Sequence, residues 1–235
     1  MSVNDYVLVQ GVRDTRSALA TWRDDPGALL PRIFAGSLAI AVFLLAGVLI
    51  VASIATPDLT WVTIPGIQHP VTAGDIGHTI FRNSLVLAFH ATACVAGFIA
   101  GASMPLAAAQ RSGFSRWIHG RAGKLAIGLV VGVTVFSLST QVYILGSQGA
   151  TLAASARISP ALLVLTVLPH ALIELVAVFL PLAAWIMFSR RGEWNQLLAA
   201  TFVTVAIAVP MLVVSALIEA YVWPDVLKAL SPAFA

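Results

Sequence analysis

The feature that most constrains this chain is a run without a single charged side chain from residue 33 to residue 55. A hydrocarbon core of ~30 Å needs ~20 helical residues to cross it, so this stretch is long enough to span a membrane. Four similar stretches follow, at about 80–104, 124–145, 160–188 and 197–222. The fourth contains Pro169 and Pro181, and because proline lacks an N–H and crowds the preceding turn, a kinked or tilted helix is expected there. A pair of re-entrant segments is the less favoured alternative. Composition agrees: 59% of the 235 residues are hydrophobic and only 10% are charged, against roughly 25% charged in soluble domains. The fold class expected is all-α, a polytopic membrane helix bundle of five transmembrane helices.

Basic residues set the expected orientation, because cytoplasmic loops are enriched in them. Arg13, Arg16, Arg23 and Arg32 precede the first span. Arg111, Arg116, Arg121 and Lys124 lie between the second and third, and Arg190 and Arg191 between the fourth and fifth. Only Arg82, Arg157 and Lys228 fall on the other side. This places the N-terminus inside and the C-terminus outside, in a bacterial cytoplasmic (inner) membrane. The division is then a cytoplasmic N-terminal segment 1–32, a transmembrane domain 33–224 with an outer loop 56–79, and a short outer tail 225–235. Residues 6–22 mix apolar side chains with arginines and suit an amphipathic helix on the inner leaflet, with a loosely ordered tail as the alternative. The outer loop, with Pro57 to Trp61, Pro65-Gly66 and Pro70, reads as a structured cap at the interface.

Several function classes fall away. The net charge of +3 arises from short patches beside apolar runs and not from one basic face, so no nucleic acid is expected as a partner. No removable signal peptide, phosphate loop or dinucleotide fingerprint is visible, and no cofactor is expected. The single cysteine, Cys94, allows neither an internal disulfide nor a cysteine zinc site.

Ionisable groups inside spans cost roughly 2.5–3.5 kcal/mol each on insertion scales and normally face a protein interior or a wet cavity. Asn83, Leu87, His90, Cys94, Gly97 and Gly101 share one face of the second span at spacings of four and three. Gly97 and Gly101 form a G-x-x-x-G that serves either internal packing or a homo-oligomer. The third span carries Ser137, Thr140 and Gln141 on one stripe. In the fourth, His170 and Glu174 stand one turn apart behind Pro169; the fifth has Ser215 and Glu219. With a rise of ~1.5 Å per residue, His90 and His170 fall about 15 Å below the outer surface. Arg82, Asn83, Gln141 and Glu219 lie in the outer half, where Arg82 and Glu219 suit an ion pair. The expectation is a polar intramembrane site formed by Arg82, Asn83, His90, Gln141, His170, Glu174 and Glu219, a funnel open to the outside and closing near the two histidines. A structural pair, a proton or ion relay and general acid/base chemistry all remain open for His170 with Glu174. A metal held by His90, His170 and Glu174 is the least favoured, since the spacing matches no zinc-protease motif, and none is expected.

Three segments carry a resemblance: Phe81-Arg82-Asn83-Ser84, the run Leu168-Pro169-His170-Ala171-Leu172-Ile173-Glu174-Leu175, and Ala216-Leu217-Ile218-Glu219-Ala220 with Pro224 just after it. Together they resemble the signatures of the stage II sporulation protein M family of integral membrane proteins. Order, spacing and five spans fit over about 33–224. The departures are Ser84, where the family usually has a second asparagine, and Ala171, where it has glycine. The resemblance implies that Asn83, Pro169, His170, Glu174 and Glu219 are the signature residues. It also implies a module of the cell envelope: a scaffold for peptidoglycan-degrading enzymes, or a component encoded beside ABC transporters or circular-bacteriocin clusters and concerned with peptide maturation and export. Expected partners are the lipid bilayer and other membrane or envelope proteins, an ABC transporter or a peptide substrate among them. The alternative is an intramembrane enzyme for peptide processing or head-to-tail cyclisation, with His170 as base or acid, Glu174 orienting it and Asn83 stabilising the oxyanion. A further alternative is an ion or proton pathway.

Overall fold

The computed structural model describes residues 7–24, 26–58, 63–109 and 112–234. Tyr6, Leu59 to Trp61 and Arg111, on which some expectations above rest, lie outside the described residues. Within them the fold is all-helical, with no strand and one isolated bridge between Pro65 and His69. Five helices are long and apolar enough to cross a membrane, over Gly27–Ile54, Ala73–Ser103, Arg121–Ala156, Pro160–Arg191 and Trp194–Leu230. The chain is a multi-pass membrane protein by that criterion.

The helices are α1 (Val7–Asp24), α2 (Pro26–Ile54), α3 (Ala73–Phe98), α4 (Met104–Ala109), α5 (Gly113–Ala156), α6 (Pro160–Arg191), α7 (Leu197–Tyr221) and α8 (Trp223–Leu230), with a π turn at Ile99–Ser103 and a 3-10 turn at Trp194–Gln196. Several run beyond their apolar cores, and the cause is capping chemistry. α3 starts at Ala73, not near Ile80, because Thr72 and Asp75 form a reciprocal box. The Thr72 amide and hydroxyl donate to the Asp75 carboxylate at 2.8 and 2.7 Å, and the Asp75 amide donates to the Thr72 hydroxyl at 3.3 Å. The part of the outer loop from Ala73 onward is therefore helical. The tail beyond Trp223 likewise forms α8 as far as Leu230.

α5 ends where Arg157 turns left-handed at φ 55°. The Ile158 amide reaches the Ala153 carbonyl at 3.0 Å and the Arg157 amide reaches Ala154 at 3.1 Å, the paired bonds that close a helix C-terminus. Ser159 then caps α6 through its hydroxyl, which accepts from the Leu162 amide at 3.2 Å, with Pro160 at the first helical position. α6 is one unbroken helix through both Pro169 and Pro181, so the re-entrant alternative is not the arrangement formed. Gly192 at φ 72° closes its far end in the same paired manner.

The chain divides into two compact units. One comprises Met1–Ser37, Leu87–Val135 and Phe179–Ala208; the other Leu38–Val86, Phe136–Val178 and Val209–Ala235. In the first, α1 is a helix whose Trp22 is buried, its indole N–H donating to Gln196 at 3.2 Å and its ring against Phe188 at 5.8 Å. Gly97 and Gly101 pack here against tryptophans. A Cβ on Gly97 would lie 2.6 Å from Trp185 Nε1, and one on Gly101 would overlap the Trp194 ring. The G-x-x-x-G thus serves internal packing.

The second unit has a small apolar core of Ile64, Ala153, Ala156, Leu163 and Leu227, flanked by Ile67 and Trp223. The loop at residues 63–72 joins it through a turn in which the Gly66 amide donates to His69 O at 2.7 Å. Gly66 sits at φ 83°, and a Cβ there would meet Pro224 at 2.8 Å, so both conformation and space require glycine. The Ser231 hydroxyl donates to the Ala156 carbonyl at 2.6 Å and ties the segment after α8 to the end of α5.

Candidate functional site

The polar residues of the second unit converge because each helix repeats them one turn apart. α3 offers Thr79, Arg82 and Asn83, α6 offers His170 and Glu174, and α7 offers Ser215 and Glu219. All but Ser215 line one cavity of about 710 Å³, within the ~300–1,000 Å³ typical of small-molecule sites. Its remaining wall is largely aliphatic, with Leu45 and Val48 from α2, Leu145 and Leu152 from α5, and Leu163 and Val167 from α6.

Glu174 is the hub of the polar end. Its carboxyl group interacts with the side chains of Asn83 and Ser215 and lies in the field of Arg82 and Glu219. Glu219 interacts with Thr79 and also feels the Arg82 charge. The Arg82 charge therefore acts on both carboxyl groups and not on Glu219 alone. Ser215 is used twice, because its hydroxyl also donates to the His170 carbonyl at 3.0 Å. His170 is 7% exposed. Its ring meets Trp223 edge-on at 5.7 Å, and its buried Nδ1 has no hydrogen-bond partner among the described residues. Trp223 is held in turn by Thr166, whose hydroxyl accepts its indole N–H at 3.3 Å.

Five of the seven residues expected at the site therefore line one cavity: Arg82, Asn83, His170, Glu174 and Glu219. Gln141 is not among the lining residues. Its amide donates to Ser137 one turn back on α5 at 3.1 Å, so the stripe on that helix satisfies itself. His90 belongs to the first unit, fully buried, with Phe89 and Phe179 edge-on to its ring at 5.4 and 5.1 Å. Cys94, in the same unit, donates its thiol to the Pro181 carbonyl at 3.2 Å. Among the described residues no three histidine, cysteine, aspartate or glutamate side chains are placed to hold a metal ion.

Three contributors escape a search for ionisable groups in spans: Thr79, Ser215 and Trp223. The signal for two of them is present in the spacing, since Thr79 stands four residues before Asn83 and Ser215 four before Glu219. Trp223 reads from sequence as an interface marker; its contact with His170 arises only because α8 follows α7 after Val222.

No family model, curated protein or solved structure matches this chain.

Proposed function

We propose that this protein is the membrane-embedded module of a cell-envelope or peptide maturation and export machine in a bacterial cytoplasmic membrane. Its polar intramembrane site is open to the outer side, and it holds a substrate or partner segment. The observation that carries this reading is the convergence of Arg82, Asn83, His170, Glu174 and Glu219 on one cavity with a long aliphatic wall. Such a mixture suits recognition, with a few polar groups fixing orientation and an apolar surface supplying contact area. The orientation, N-terminus inside and C-terminus outside, rests on the basic residues flanking the spans. The likeness of the three signature segments to the stage II sporulation protein M family points to the same kind of role.

Binding is favoured over chemistry by how the reactive groups are used. The Ser215 hydroxyl is committed to the His170 carbonyl and to Glu174, and the Cys94 thiol to the Pro181 carbonyl. A histidine acting as base is ordinarily oriented by a hydrogen bond from its second nitrogen, whereas the Nδ1 of His170 has no such bond.

The test is a pulldown of the full chain in mild detergent, with mass spectrometry of proteins, peptides and metals, comparing wild type with His170→Ala/Glu174→Ala. A protein or peptide co-purifying with the wild type supports the module, and its loss from the double variant assigns the cavity as its seat. Turnover of a peptide that stops in the double variant would move the assignment to an intramembrane enzyme.

A further inference from the structure

The chemistry of the cavity narrows what it accepts, granted that it is a binding site as proposed above. Among the described residues its polar end is lined by one guanidinium, Arg82, against two carboxylates, Glu174 and Glu219. An anionic ligand would meet that excess directly, while a monocation would reduce it. The acceptors are well placed for a group that only donates. Glu174 interacts with Asn83 and Ser215, and an ionised carboxylate has about four lone-pair sites, so capacity remains. An ammonium group has three N–H donors and no acceptor, matching two carboxylates that only accept.

Two further features fix the rest of the ligand. Along α6 the lining runs from Pro160 through Leu163, Val164 and Val167 to His170 and Glu174, a length of about 21 Å at the helical rise. Arg82, Glu174 and Glu219 gather at the Glu174 end and the aliphatic side chains of α6 precede it, while Asp58, whose amide donates to Thr151, and Gln148 line the wall toward α5; a chain with a charged terminus suits this better than a bare or hydrated ion. Among the described residues no aromatic side chain other than the His170 ring lines the cavity. Quaternary ammonium groups are ordinarily held by aromatic cages, through their diffuse charge, so a primary ammonium with its own N–H donors fits better.

We infer that this cavity binds a primary ammonium group carried on an aliphatic chain, with the ammonium between Glu174 and Glu219 and the chain along α6. The test is titration calorimetry on the full chain in phosphatidylcholine nanodiscs, with empty nanodiscs as the control for partitioning. Hexylammonium should bind saturably, hexyltrimethylammonium at least about tenfold more weakly, and hexanoate not at all, tenfold being the scale of one good charged contact. Glu219→Gln, nearly isosteric, should weaken hexylammonium by about tenfold. Val164→Trp, which narrows the aliphatic wall away from the charges, should also weaken it, and Gln141→Ala should leave it unchanged. Including phosphatidylethanolamine in the discs separates two sources of the same chemistry: competition identifies a lipid amine headgroup as an occupant, and its absence a free amine. Hexanoate binding as tightly as hexylammonium, or unaltered binding in Glu219→Gln, would overturn the assignment. A partner still lost from the His170→Ala/Glu174→Ala variant in the pulldown would then leave the module reading standing with a different ligand.

Discussion

The two compact units use small and polar residues in opposite ways. In the first, glycines bring helices against large rings: Gly97 meets Trp185, Gly101 meets Trp194, and His90 is enclosed by Phe89 and Phe179. In the second, polar side chains on α3, α6 and α7 face a cavity of about 710 Å³. The comparison teaches that a histidine in an apolar helix has no fixed meaning. His90 and His170 both stand inside long apolar helices, yet one is enclosed by the rings of Phe89 and Phe179 and the other lines a cavity beside Glu174.

The sharpest way to break the contrast is to fill the packed glycine. Gly101→Val places new atoms inside Trp194 and should cost at least about 3 kcal/mol, the upper end for overpacking, read as a large fall in melting temperature in detergent. Gly132→Ala, where an added Cβ meets nothing within 4 Å, should be neutral or stabilising in the same measurement. In the second unit the expected effects are smaller. Arg157→Gly relieves a left-handed residue at the end of α5 and should stabilise by about 1 kcal/mol, raising the melting temperature. Ser215→Ala removes the donor to the His170 carbonyl and a polar neighbour of Glu174, and should cost about 1 kcal/mol while weakening whatever ligand the pulldown identifies. Gln141→Leu should change stability by no more than about 0.5 kcal/mol and leave ligand retention intact, because its amide bonds only Ser137. Ligand loss in Gln141→Leu would extend the site to α5 and blur the comparison.

These expectations show which parts of the molecule were legible in its amino acids. The five long helices were, since the run from residue 33 to 55 and its successors have no soluble alternative. Helix ends were not, because a box such as Thr72 with Asp75 adds helix that hydropathy ignores, and Arg157 ends α5 in a conformation usually left to glycine. The pairing of His170 with Glu174 in one cavity followed from their one-turn spacing, and Arg82, Asn83 and Glu219 from the cost of charge and amide in a span. Placing Gln141 and His90 beside them did not follow, because polarity says that a side chain needs a partner and not which one. Ser137 met the need of Gln141 within α5 itself.

The contact of Gly66 with Pro224, and the bond from Ser231 to Ala156, have a consequence for how the chain is made. The loop at residues 63–72 and the α5–α6 turn are packed by α8, which is synthesised long after both. Contacts so distant in sequence form late, because loop closure must precede them. Until residue 231 leaves the ribosome, the loop has neither Leu227 nor Pro224 to rest on. Synthesis of α8 therefore completes the cavity's surroundings, and a protein truncated before Trp223 would insert its spans yet leave His170 without the ring that flanks it.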